Sequence, residues 1–365
     1  MKTMPLPWIL VVGALLPALA GDEPTALERV WGRSDHFKVR VQVEQRYDDN
    51  ILQLSPATID AFRRRPGSSR FKIKSIDDRI TRLKLKLSSS WQLLPRRETT
   101  FRVSWQRNGY QRNDIKDYDG LTFGVRQELT ASRKHLAEIR IDAGYVSDFY
   151  LFELTDDDAS FDARKRIRRS VTYDESRLSL RLEKTIIEDR LRISVGRAWY
   201  KRDYNENFNE RDGTRRENLI RVEFRPLPWS RMEIGGRYAS GGLDATGDLP
   251  GTLIPDDDIS YDHRAVDWFG SFPWGRRFRG RIEVSHRLEK RVYTTSNRFD
   301  LSRFGRVNER RRLVVRLVQR LTRSLDLALT WSRRTNDARF AAGVATEPGL
   351  ADYEQNRYSA SLTLR

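Results

Sequence analysis

The chain has 365 residues, a formal net charge of +17 and no cysteine, which excludes disulfides and thiolate metal sites. A third of it is charged and mean hydropathy is −0.69. Beyond the N-terminal segment no stretch approaches the roughly 18 to 20 apolar residues that a transmembrane helix needs. A chain so charged enters a membrane only as strands, which meet lipid at alternate positions.

At the N-terminus, Lys2 supplies a basic start and Trp8–Leu16 a short apolar run. Ala18-Leu19-Ala20 then gives a small-x-small pattern before Gly21. This predicts a secretory signal peptide over 1–20, too short to span and followed by polar chain. No cysteine follows, so no lipid anchor is expected. The mature chain would begin near Gly21 and carry +16, the full +17 less Lys2. A periplasmic stub is expected over 21–35.

From residue 36 onward the apolar residues recur with period two. Phe37, Val39, Val41 and Val43 alternate with Lys38, Arg40, Gln42 and Glu44; Leu83, Leu85 and Leu87 with Lys84, Lys86 and Ser88; Phe101, Val103 and Trp105 with Arg102, Ser104 and Gln106. Leu121/Phe123/Val125, Ala137 to Tyr145, Leu178/Leu180/Leu182, Leu191/Ile193/Val195, Ile220/Val222/Phe224 and Met232/Ile234/Tyr238 continue the series. Val266/Trp268/Phe272 is its weakest member. Ile282/Val284/Leu288, Leu313 to Leu321, Leu325 to Trp331 and Tyr358 to Leu364 complete fourteen strands. A helix would need its apolar residues at i+3 and i+4, where this pattern puts charges.

The connections sort by length. Short ones fall at Leu93–Glu98, Thr130–Lys134, Lys184–Asp189, Pro226–Ser230, Pro273–Arg277 and Thr322–Ser324; long ones centre on 49–79, 108–120, 146–171, 203–216, 240–261, 292–309 and 334–353. Short turns on one side, long loops on the other and an even strand count mark an outer-membrane barrel. Phe37, Trp91, Phe101, Phe224, Trp229, Phe272, Trp274 and Phe278 gather near the short turns. Tyr47, Trp105, Tyr145, Trp199, Tyr238, Trp331 and Tyr358 lie near the long loops. Two aromatic girdles flanking an aliphatic band fit a bilayer. The expected fold is therefore all-β: a transmembrane antiparallel up-and-down β-barrel over 36–365, with about fourteen strands, short periplasmic turns and long extracellular loops.

The inward phase carries Lys38, Arg40, Lys84, Lys86, Arg102, Arg126, Arg140, Arg181, Arg192, Arg221, Arg279, Arg281 and Arg316. Glu44, Glu128, Glu138, Asp142, Glu183, Glu223, Glu233 and Glu283 are interspersed. A lumen between that of a filled eight-stranded barrel and an open sixteen-stranded porin is expected. Its positive excess would favour anions, or the charges form a cross-strand lattice that stiffens a closed interior. The leading expectation is a porin-like channel for anionic solutes or an exported polysaccharide. The alternative is a structural or surface-binding barrel with a plugged lumen.

In the loops, Arg164 to Arg169 offer contacts to lipopolysaccharide phosphates. Asp156–Asp158 and Asp256–Asp258 lack defined ligand spacing, so no metal and no cofactor is expected. Outer-membrane lipid, lipopolysaccharide and the barrel-assembly machinery are the expected partners. Nucleic acid is not expected, since the charge is spread over strands without a recognition motif. Catalysis is not expected either. Only His36, His135, His263 and His286 are available, and Ser285 and His286 as strand neighbours point to opposite faces. An outward His286 would need an outward serine on an adjacent strand to make a lipid hydrolase.

Val39 to Ile51, ending in Tyr47-Asp48-Asp49-Asn50-Ile51, resembles the opening strand of a group of Gram-negative β-barrel porins that includes exopolysaccharide-associated barrels. Tyr358–Arg365 is similar to the alternating terminal strand read by the assembly machinery, but ends in Arg365 instead of Phe or Trp. The resemblance implies a passive pore or polymer conduit in the bacterial outer membrane, with no catalytic residues to carry over.

Overall fold

A computed structural model describes residues 37–66, 72–130, 137–155, 168–227, 232–245, 258–274, 280–295, 300, 303–340 and 351–365. The expected signal peptide and stub lie outside these residues, as do Trp229, Arg279 and Phe278.

Fourteen antiparallel strands pair in chain order, and β1 (Phe37–Asp48) closes the sheet against β14 (Tyr353–Leu364). Between them run β2 (Asp78–Leu94), β3 (Arg97–Tyr110), β4 (Tyr118–Thr130), β5 (Glu138–Thr155), β6 (Arg168–Ile187) and β7 (Leu191–Tyr204). Next come β8 (Gly213–Phe224), β9 (Glu233–Ala245), β10 (Tyr261–Trp274), β11 (Gly280–Tyr293), β12 (Val307–Arg320) and β13 (Leu325–Arg339). Each strand predicted from alternation is present, the weak Val266/Trp268/Phe272 member included. Closure leaves no bare edge, the condition that hydrocarbon imposes on a spanning sheet.

The alternation becomes two walls. Outside, Leu87, Phe123, Leu178, Leu180, Ile220, Leu329 and their neighbours expose 43, 43, 49, 44, 50 and 47% of their surface. Leucines this exposed around a whole barrel have a solvent in hydrocarbon and none in water. Phe37, Trp91, Phe101, Phe224, Phe272 and Trp274 are exposed at the short-turn end, and Tyr47, Tyr145, Tyr238 and Tyr358 at the other. Phe37 and Trp91 meet edge-on with centroids 6.1 Å apart. Inside, the polar phase runs from exposed at Lys38, Arg40, Lys86 and Arg102 to buried at Glu44, Asn108, Asn308 and Gln355.

The strands outrun the sequence expectation at the long-loop end. Residues 108–120 were expected as loop, yet β3 reaches Tyr110 and β4 starts at Tyr118; β13 likewise continues to Arg339. Above the bilayer a ladder needs no greasy phase, so Arg333, Thr335, Asp337 and Arg339 occupy the outer face in unbroken register. At the other end Pro95-Arg96 joins β2 to β3, with Arg96 at φ 58. Proline at the first central position and a positive φ at the second make a type II geometry.

The first long loop is folded. Ser55 accepts a hydrogen bond from the Thr58 amide and Pro56 opens helix α1 (Pro56–Arg64), a start suited to helix N-termini. Phe62 packs with Ile51 and Ile73, and Tyr110 and Phe152 of the barrel lean on this cluster.

Candidate functional site

Among the described residues, chemistry-bearing side chains converge on the inner wall, and register fixes which of them are neighbours. In the short-turn half of β1–β3, Arg40 stands opposite Lys86, Gln42 opposite Lys84, and Lys38 and Arg102 both flank Ser88. Like charges directly opposite one another destabilise a sheet. Glu98 lies near Lys38 and Arg102, and Glu44 near Lys84, yet Lys38, Arg40, Lys84, Lys86 and Arg102 form no ion pair among the described residues.

From β4 onward the predicted cations are mostly paired. Arg126 lies 2.7 Å from Asp142, and Arg192 lies 3.3 Å from Glu183 and 3.7 Å from Glu223. Arg140 pairs with Glu138 and Arg221 with Glu223. Glu283 holds Arg281 at 2.5 Å and Arg316 at 3.1 Å. Arg181 is opposite Arg140 and has no ion pair among the described residues. Arg279 falls outside those residues. The interior thus carries an ion-paired arc and an arc without ion pairs among the described residues.

Sequence reasoning missed the upper half of the interior. Arg46, Arg82, Arg177, Arg202, Arg215, Arg237, Arg287, Arg291, Arg310, Arg312, Arg334 and Arg357 share the inward phase by register. Extending the parity past the apolar run would have found them. Here the wall is a connected lattice. Arg237 reaches Glu217 at 2.9 Å and Asp267 at 3.7 Å; Arg287 reaches Asp267 at 3.4 Å and Glu289 at 2.9 Å; Arg291 meets Glu289 at 2.9 Å. Aromatic faces hold further guanidiniums flat, with Arg215 over Tyr200 and Arg291 over Tyr261 at 3.9 Å each. Such stacking suits a planar, weakly hydrated cation.

The long-loop mouth is tied to the first loop. Gln355 donates to Asp48 at 2.9 Å and to the Asn50 carbonyl at 2.7 Å, while Arg357 donates to Asp48 at 2.7 Å. Asn50 bridges the Leu54 and Glu354 carbonyls. On the adjacent strand Asp78, opposite Asp48, accepts from the backbone of Arg112 and Asn113. Lys116, buried beneath this cap, sits 4.5 Å from the Phe152 ring centroid. Burial pushes its ammonium down to about 8.

His286 faces outward between Trp268 and Leu313, with Ser285 on the opposite face. Buried His263 lies 3.6 Å from Glu217 within the lattice. Among the described residues no group of three or more potential ligands is placed to hold a metal. Asp258 accepts the Ser260 amide, and the other aspartates of both acidic runs lie outside the described residues, as do Arg164, Lys165, Arg166, His36 and His135.

No family model matches the chain, and no curated protein matches it. Solved structures that resemble it include outer-membrane-expressed OmpT of Vibrio cholerae, 9% identical over 91% of this chain and 98% of that one, TM-score 0.44. An anion-selective porin from Comamonas acidovorans is 10% identical over 90% and 98%, TM-score 0.40. A bacterial polysaccharide outer membrane secretin is 10% identical over 91% and 99%, TM-score 0.46. At such values the likeness is one of barrel form and carries nothing about cargo.

Proposed function

We propose that this chain is a porin-like channel of the bacterial outer membrane, delivered there by its N-terminal signal peptide, that favours anions. Small anionic solutes are its first expected cargo, and an exported acidic polysaccharide is the larger one. Outer-membrane lipid, lipopolysaccharide and the assembly machinery are its expected partners, and it performs no catalysis. The observation that carries this reading is the unpaired arc of Lys38, Arg40, Lys84, Lys86 and Arg102. A stable lattice needs no such arc, whereas a ring of fixed charge selects ions of opposite sign. In planar bilayers the purified protein is expected to give discrete conductance with anion preference, and Arg40→Glu with Lys86→Glu is expected to erase that preference. A silent or cation-selective wild type would defeat the proposal.

A second reading is a non-conducting barrel whose long loops bind the cell surface. It draws support from the cap over Tyr110 and Phe152. Removing residues 52–76 would then leave conductance at zero, where the channel reading expects it to rise.

A further inference from the structure

Where β12, β13, β14 and β1 meet, the inner wall holds a recess of about 190 Å³. Arg46, Arg312, Arg316 and Arg357 border it, together with Ser332 and Ser361. Two observations bear on what it could hold.

The first is uncompensated charge. Register places Arg312 between Arg287 and Arg334, so three guanidiniums stand side by side on adjacent strands. Arg287 is neutralised by Asp267 and Glu289, Arg46 by Glu44, Arg316 by Glu283 and Arg357 by Asp48. Arg312 and Arg334 have no acidic partner among the described residues, and the Arg334 Nε is buried without an acceptor.

The second is unsatisfied hydroxyls. Ser332 and Ser361 are 7% and 6% exposed and line the recess. Neither hydroxyl has a hydrogen-bond partner among the described residues. Both hydroxyls stand open to the recess, so each is free to pair with a solute that enters it. A free guanidinium and two free hydroxyls around one cavity are complementary to a solute that carries an oxyanion and hydroxyls together.

We propose that this recess is a binding subsite for a small polyhydroxylated carboxylate. Arg312 takes the carboxylate in the two-pronged geometry open to a guanidinium, and Ser332 and Ser361 pair with the solute hydroxyls. The volume equals about six waters at ~30 Å³ each, the scale of a six-carbon sugar acid. The inference rests on the channel reading in one respect: the solute arrives through the lumen.

Calorimetric titration of the purified, detergent-folded chain with gluconate tests it. Saturable binding is expected, tighter than that of acetate, which has the charge alone, or of glucose, which has the hydroxyls alone. Arg312→Gln, which orphans no carboxylate, and Ser332→Ala/Ser361→Ala are each expected to weaken gluconate by about tenfold, the worth of one or two hydrogen bonds. Arg311→Gln, facing outward one residue away, is expected to leave it unchanged. Acetate binding as tightly as gluconate, or wild-type affinity in both variants, would overturn the subsite. Calorimetry needs no conduction. Binding in a barrel silent in bilayers removes the channel and leaves the subsite; anion current without gluconate binding does the reverse.

Discussion

Along β9–β11 each inward arginine meets a carboxylate: Arg237 and Arg287 share Asp267, Arg287 and Arg291 share Glu289, and Arg281 meets Glu283. Along the short-turn half of β1–β3, five cations face the same lumen with no acid in ion-pairing range. Both arcs belong to one antiparallel ladder, but Lys38, Arg40, Lys86 and Arg102 are exposed where Arg237, Arg287 and Arg291 are half-buried among acids. The difference teaches that positive charge in this interior has two separable uses. On one arc it locks neighbouring strands; on the other it is left available to whatever enters.

The largest effect that can break this comparison is expected at Glu289, which touches Arg287 and Arg291 at 2.9 Å and lies 4.0 Å from Arg310. Glu289→Gln leaves Arg291 and Arg310 without an acid and Arg287 with Asp267 alone, and is expected to destabilise the barrel by about 3 kcal/mol. A urea titration of heat-modifiable mobility reads this directly, and an unchanged midpoint would show the lattice to be incidental.

An intermediate effect is expected at the cap, through Lys116. Its folded ammonium titrates at about 8, whereas an unfolded lysine titrates near ~10.4. Between those values the unfolded chain binds a proton that the folded one does not, so stability is expected to rise with pH across that window and to level off above it. Melting temperatures of wild type and Lys116→Met at neutral and alkaline pH give the check: the rise is expected in wild type and absent in the variant.

The smallest effect belongs to the other arc. Lys86→Gln removes a like charge opposite Arg40 and is expected to shift stability by less than ~0.5 kcal/mol, in the favourable direction. The same urea midpoint measures it. A loss comparable to that of Glu289→Gln would mean that the two arcs are not separable after all.

The fold was legible in the sequence because lipid enforces alternation. Leu83/Leu85/Leu87 had to share one face, and every strand that meets the bilayer carries such a signature. Strand ends were not legible. Beyond the girdle both faces of the ladder meet water, so Arg333–Arg339 look like loop although they pair in full register. The same blindness hid Arg312, Arg334 and Arg357. The thirteen predicted lining cations sit within apolar runs, and the recess arginines other than Arg316 stand just past them. Pairing was illegible too, because whether Arg126 or Lys86 finds an acid depends on register across strands, which a single chain does not spell out.

The continuation of the strands past the greasy belt sets the height of the entrance. β13 has 15 residues; at ~3.3 Å per residue and a tilt of ~40° it climbs roughly 38 Å. An apolar band of about 25 Å leaves on the order of 13 Å of wall as a collar, longer than the ~8 Å over which physiological salt screens charge. On the proposed channel reading, an ion arriving at the rim would be sorted by the protein's own field and hardly by the charged leaflet below. Selectivity would then persist unchanged when the surrounding lipid is exchanged for one of different charge.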